Sequence, residues 1–483
     1  MKTLERLFFF FAGICLMIAC SKTDQPELSL SGKSGGNLMN KPVVCEKVFV
    51  VEPRGNGLDD TENLQKAFND ALAEPPGTSV VQLVEGNYSI GFIEVHEFYG
   101  SFIGAGKGKT IITARKYLNC NPPNKNKLYY YLIKFVGGDI YMSDMTIQTL
   151  PGGLCWSNSS GSLHGLVIFS DFSNIYTSMN GYVRAFVNNV ECMGHTFGKW
   201  YNAQNGVSAM SDTRLTGITR SHIDITVTNS VFDTLAYGVQ VLDVKDGKLI
   251  VGTRSNGNVF NKCYQPVSFY DVINVEISAV GNILNIPKGM FFGLDVDNSS
   301  WGRSIYEPQT KKILCNIEGN EFNLIGGDCG LWLHDHRRIK YPDENLPIVF
   351  EVKSNTINMQ DAYIGISMPD LYGAVIRNNK FTGNGTVGTS TAVCAWKGIY
   401  TENSLYLGNN FSNTSFTGPA IFLGVRSKNC TVIGIGQNAF VNNKGINNVI
   451  TGVNVKDFDD ALGQTIVDNL HLMKEEMRLR VEE

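Results

Sequence analysis

Gly319-Asn320-Glu321-Phe322-Asn323-Leu324-Ile325, a Gly-rich bend, then Gly330-Leu331-Trp332-Leu333-His334-Asp335: residues 319–335 hold the pattern that decides the fold. Asn320 is followed two positions later by the apolar Phe322, in a short β-like run. The same pair recurs as Asn229/Val231, Asn258/Phe260, Asn282/Leu284, Asn355/Ile357, Asn379/Phe381, Asn409/Phe411 and Asn438/Phe440. Successive Asn lie 29, 24, 38, 35, 24, 30 and 29 residues apart. Self-similarity at that period signals a solenoid. Asn tolerates the left-handed conformation of a sharp turn, and Asn side chains stacked at strand spacing can bond in a ladder. Two positions on, the apolar residue points the same way, into a core that each rung completes for its neighbour. One rung buries nothing alone, so both ends need caps.

The second half of the stretch gives a further template: Gly, apolar, x, apolar, x, polar. It fits Gly238–Asp243, Gly293–Asn298, Gly330–Asp335, Gly365–Asp370 and Gly398–Asn403, and more weakly Pro266–Asp271 and Ala420–Gly424. Strand alternation sends the apolar positions inward and the x positions outward. Stacked, the x positions make two outer columns. One holds Gln240, Ser268, Asp295, Trp332, Ser367, Tyr400 and Phe422; the other holds Leu242, Tyr270, Asp297, His334, Pro369, Glu402 and Gly424.

Composition agrees with a turn-rich β chain. The 483 residues include 50 Gly and 46 Asn but only 15 Pro, and charged residues are 18% against an ordinary ~25%. Hydrophobic residues at 43% exclude wholesale disorder. A net charge of −4 argues against nucleic-acid binding, which needs a basic stripe. The Gly104–Thr110 run (GAGKGKT) invites a phosphate-loop reading, but Ile111-Ile112-Thr113-Ala114 after it is a β run and the spacer is wrong, so no nucleotide is expected. No cofactor is called for.

The amino end reads as an address. Lys2 and Arg6 precede an apolar run, Leu7 to Ala19, of secretory length. Met17-Ile18-Ala19-Cys20 resembles the lipobox of bacterial lipoproteins, which implies cleavage just before Cys20, lipid on Cys20 as the first residue of the mature chain and attachment to the cell envelope. Residues 21–45 read as a flexible tether, 46–455 as the solenoid and 456–483 as a C-terminal helical segment. Nine cysteines remain beyond Cys20, odd in number and without paired spacing, so buried thiols are expected rather than disulfides.

Residues 59–73 carry helical periodicity, with Leu64, Ala67, Phe68, Ala71 and Leu72 on one face, Asp59 or Asp60 as cap and Pro75-Pro76-Gly77 as stop. A strand follows at Ser79–Val84, then a Gly86-Asn87 turn. Gly55-Asn56-Gly57-Leu58-Asp59-Asp60-Thr61 with Leu64-Gln65-Lys66-Ala67, then Gly86-Asn87-Tyr88 and Gly104–Ile112, resembles the opening of the pectate-lyase superfamily, with Asn56 where an Asp is usual. The resemblance implies an all-β fold: a single-stranded right-handed parallel β-helix with an N-terminal capping helix. It implies a carbohydrate substrate only as a tendency.

The outer columns mix aromatic rings with carboxylates and a histidine, the side chains that hold sugar faces and hydroxyls. Asp295 and Asp297 lie two apart on one strand, so their carboxyls stand about 6–7 Å apart, near the lower end of the ~6.5–9.5 Å of inverting glycosidases. Asp295, Asp297, His334 and Glu402 are the candidate catalytic residues. Gln240, Tyr270, Trp332, Asp335, Arg337, Tyr400 and Phe422 are the candidate substrate contacts. In a lyase, His334 would be the base that abstracts a sugar proton. His334 and His336 alternate at a spacing suited to metal ligands, but no third ligand at fixed spacing accompanies them, so no metal is expected. Arg338-Ile339-Lys340 echoes a tripeptide of polygalacturonase-like hydrolases, yet their Gly-His-Gly is absent. The sequence therefore supports a polysaccharide-active lipoprotein, a glycoside hydrolase ahead of a lyase, with a non-catalytic glycan-binding protein as the rival.

Overall fold

The computed structural model describes residues 46–115, 130–149, 163–170, 182–194, 205–211, 221–289, 292–297, 309–311, 313–327, 329–335, 348–384, 391–395, 401–416, 418–434 and 439–456. All belong to the unit Glu46–Glu483. The address and tether, 1–45, and most of the C-terminal segment, 457–483, lie outside the described residues.

The solenoid is a parallel β-helix with three strands per coil. One coil runs Glu276–Val280, Ile283–Pro287, Phe292–Asp297, and the next runs Ile313–Glu318, Glu321–Ile325, Cys329–His334. Each strand pairs in parallel with its counterpart one coil on: Ile277 opposite Cys315, Leu284 opposite Phe322 and Val296 opposite Leu333. The pattern continues into Ile348–Lys353, Thr356–Gln360 and Ile364–Tyr372. Crossovers between parallel strands wind right-handed because of strand twist. Phe260, Leu284, Phe322, Ile357, Phe381 and Phe411 stack along one wall of a continuous apolar core.

The repeated Asn is a buried ladder at the corner between the first and second strand. Each side-chain Nδ2 donates to the Oδ1 of the Asn one coil on, from Asn258 through Asn282, Asn320, Asn355 and Asn379 to Asn409, at 2.9–3.0 Å. That same Oδ1 also accepts the backbone N–H of the preceding rung, as from Asn282 to Asn320 at 2.9 Å. The left-handed turn itself falls one residue earlier than the sequence reading placed it: at Gly281, Gly319, Ser354, Asn378 and Gly408, all with positive φ. This division has a physical cause. The ladder residue must aim its amide inward, and the residue before it absorbs the bend. Asn229 is thus a bend residue (φ 51°), and Ser230 holds the ladder position, donating its backbone N–H to Asn258 Oδ1. Its core partner is Phe232, not the half-buried Val231. Asn438 lies outside the described residues, and Phe440 is half-buried.

The helix spans Thr61–Leu72 and buries Leu64, Ala67, Phe68 and Ala71; Leu72, expected on that face, is exposed. Phe68 sits 5.1–5.7 Å from the rings of Phe98, Phe102 and Phe135, closing the first coils. Asp60 flanks the helix without capping it by side chain. Its carboxylate instead accepts the N–H groups of Arg54 and Ser89, while Asp59 accepts that of Thr61. Gly86, read as a turn, opens the strand Gly86–Ile90. Gly104–Lys109 is a bend that leads into the strand Thr110–Ala114, with no helix after it. Cys192, Cys263, Cys315 and Cys430 are free and buried, and Cys329 is buried.

Candidate functional site

The third strand of each coil carries the outward columns, and its backbone explains their geometry. Gly238, Gly293 and Gly330 open these strands where the chain of the next coil passes very close. A Cβ at Gly293 would stand 2.6 Å from Gly330 O, and one at Gly330 would stand 2.6 Å from Gly365 O. Only glycine fits such an approach. The residue before this position also contributes to the outer strip in the Gln265–Tyr270 strand. Gln265, preceding Pro266, reaches Tyr270 and Asp295 instead of the core.

Register fixes the strip. Gln240 stands opposite Ser268, Ser268 opposite Asp295, Asp295 opposite Trp332, and Trp332 opposite Ser367. Beside them run Leu242, Tyr270, Asp297 and His334. After Trp332 the register slips, so Asp370, not Pro369, faces His334. These side chains lie outside the apolar core cluster, yet Asp295, Asp297, Trp332 and His334 are at most 2% exposed.

Two acid–base groupings result. His334 Nδ1 lies 3.2 Å from Asp297 Oδ1, at ion-pair distance without good hydrogen-bond alignment. Gln265 Nε2 donates to Asp295 Oδ2 and to Tyr270 Oη, each at 3.2 Å. Burial, and then the charge of Asp295, push the Tyr270 phenol well above its ordinary value. It keeps its proton and donates it toward Asp295. Asp295 therefore receives an amide proton from Gln265 and the phenol proton of Tyr270. Trp332 packs on Phe292 with centroids 4.8 Å apart and turns its edge to His334, so it forms wall rather than open platform. Among the described aromatic residues of the strip, Tyr270 is half-buried while Phe292, Trp332 and Phe422 are buried.

The other expected site residues fall elsewhere. Glu402 leaves the strip. The strand Thr391–Ala395 takes that place in the sheet, Cys394 standing between Ser367 and Phe422 in register. Glu402 pairs instead with Lys428 Nζ at 2.8 Å, beside Tyr372. Asp335 Oδ2 accepts the backbone N–H of Ile348 at 3.2 Å, tying one coil to the next. Gln240 Oε1 accepts from Asn205 Nδ2 at 2.7 Å, two coils from Asp295. Phe422 is in the column, buried, three rungs from Trp332. Arg337 and Tyr400 lie outside the described residues, as does His336. Among the described residues, no three His, Cys, Asp or Glu are grouped to hold a metal. Sequence reasoning missed Gln265 and Phe292. The signal was their place just before the template Gly or Pro, which strict alternation would have turned inward.

No family model matches the chain, and no curated protein is similar to it in sequence. Solved structures that resemble it include the A-module of mannuronan C-5 epimerase AlgE6 from Azotobacter vinelandii, 11% identical with a TM-score of 0.34, covering 83% of this chain and 96% of that one. The periplasmic alginate epimerase AlgG is 11% identical with a TM-score of 0.40, over 83% of each chain. The catalytic unit of a thermostable alpha-1,3-glucanase from Streptomyces thermodiastaticus is 12% identical with a TM-score of 0.33, over 84% of this chain and 67% of that one. At such distances these are likenesses of fold.

Proposed function

We propose that the protein is an exported enzyme that cleaves a polysaccharide by glycoside hydrolysis at the Asp295/Asp297 strip. One observation carries this reading: two buried carboxylates two positions apart on one strand, each beside a different polar partner, His334 for Asp297 and Gln265 for Asp295. Hydrolysis needs an acid and a base with distinct protonation states. Asp295, receiving hydrogen bonds from Gln265 and Tyr270, is the base. Asp297 is the acid that protonates the leaving oxygen, because the like charge of Asp295 two positions away on the strand favours its protonated form. Half-buried Tyr270 offers a ring edge and hydroxyl to the sugar. Lipid on Cys20 would hold the solenoid at the envelope through the 21–45 tether. Incorporation of labelled palmitate, lost in Cys20→Ala, tests that attachment.

The decisive assay measures reducing ends released from polygalacturonate, alginate and soluble glucans. Asp295→Asn and Asp297→Asn should each lower turnover by roughly 10²–10⁴-fold while retardation in polysaccharide gels persists. Unchanged turnover in either variant, on a polymer the protein binds, rejects the catalytic reading and leaves a glycan-binding protein. The His334–Asp297 contact favours one second reading, a lyase with imidazole as base. That reaction would yield ultraviolet-absorbing unsaturated ends, whereas hydrolysis in labelled water puts the label on the new reducing end.

A further inference from the structure

Three polar atoms on the strip are fully buried and have no hydrogen-bond partner among the described residues: Gln265 Oε1, Ser268 Oγ and Ser367 Oγ. Buried polar atoms of native proteins are nearly always satisfied, by protein or by ordered water. Two of the three adjoin Asp295. Ser268 stands directly opposite it in register, and Gln265 reaches its Oδ2 at 3.2 Å. Both hydrogen bonds recorded for the Gln265 amide nitrogen go to Asp295 and Tyr270, which leaves its oxygen as an acceptor pointing away from them. Complete burial suits a water, not a sugar ring.

We propose that Gln265 Oε1 and Ser268 Oγ hold the water that Asp295 activates. The inference rests on the hydrolase reading above. The water donates one proton to Gln265 Oε1, accepts from Ser268 Oγ and directs its other proton at Asp295. In the reaction its O–H bond breaks and the proton passes to the Asp295 carboxylate. The oxygen bonds the anomeric carbon as the glycosidic C–O bond breaks, and the departing oxygen takes the proton of Asp297. Gln265 and Ser268 are positioning residues. Ser367 lies two rungs from Asp295 with the Trp332 indole between them, so it is an internal control of equal burial.

The test uses the full chain and the polymer panel named above. Ser268→Ala should lower kcat by roughly tenfold to a hundredfold, as expected for a misplaced reactant, with KM within twofold of the parent; Ser367→Ala should change neither. A high-resolution crystal structure should place an ordered water within hydrogen-bond reach of Ser268 Oγ, Gln265 Oε1 and Asp295, and Ser268→Ala should lose it. Two results overturn the water site alone: a parent that cleaves with no such water, or Ser268→Ala with parental kcat while Asp295→Asn is inactive. A parent that cleaves nothing on the panel overturns the hydrolase reading and this inference together.

Discussion

Replacing Asn320 by alanine removes the middle of the buried ladder. Four hydrogen bonds go: Nδ2 to Ala279 O and to Asn355 Oδ1, and the two that Oδ1 accepts from the backbone N and Nδ2 of Asn282, all at 2.9–3.0 Å. Asn282 Nδ2 keeps its bond to Val251 O, and Asn355 Oδ1 keeps the backbone N–H of residue 320. The groups left stranded are therefore the Asn282 N–H and the Ala279 carbonyl, at a corner about 1% exposed. At about 1–3 kcal/mol for each unsatisfied buried group, the loss should be about 2–6 kcal/mol, toward the upper end for single substitutions. Asn323→Ala, three residues on, is the control. Its outer-face bonds to Asn285 and Glu321 are half-exposed, so water replaces them and the cost should stay under about 1 kcal/mol. Guanidinium unfolding of both variants at equal m-value separates the cases. Hydrogen exchange should show the excess opening of Asn320→Ala confined to neighbouring coils, since a solenoid transmits stability only between adjacent repeats. If the two variants unfold at the same midpoint, the ladder is not what holds the corner together.

Three further outcomes follow from the packing. The thiols of Cys192, Cys263 and Cys315, fully buried, are pushed above their ordinary value of 9.0 by desolvation, and the Tyr88 and Tyr270 phenols above 10.0, chiefly by the same cause. Above pH 9 the unfolded chain releases protons that the folded chain retains, so stability is full below that pH and falls as pH rises, by about 1.4 kcal/mol per pH unit for each thiol. A denaturant midpoint unchanged to pH 11 would contradict this. Gly330→Ala drives a Cβ against Gly365 O and should cost about 1–3 kcal/mol, with turnover falling as Trp332 and His334 shift; thermal unfolding beside an activity assay reads both. Phe68→Ala, at the helix that closes the first coils, should lower stability by about 3–5 kcal/mol, and a midpoint within 1 kcal/mol of the parent would show that the helix is not a cap.

The candidate site was legible only where side-chain parity holds. Asp295, Asp297, Trp332 and His334 share one strip because each sits at an x position of a strand that keeps its alternation. Glu402 fits the same template yet lies elsewhere, since a template scores one segment at a time and Thr391–Ala395 occupies that place in the sheet. Gln265 was invisible for a related reason. Its amide reaches Tyr270 and Asp295 although strict alternation would turn it to the core, a departure that shows only once neighbouring coils stand side by side.

The solenoid itself was written in the chain, because a rung's needs are local: an amide every two or three dozen residues, a bend residue before it and an apolar residue two positions after. Which rungs lie opposite one another, which carboxylate takes the phenol and which the imidazole, and that Trp332 is covered by Phe292 are matters of register between segments some 30 residues apart. Register is set by how all the coils pack at once, through core side chains and close backbone approaches. No single segment carries that information.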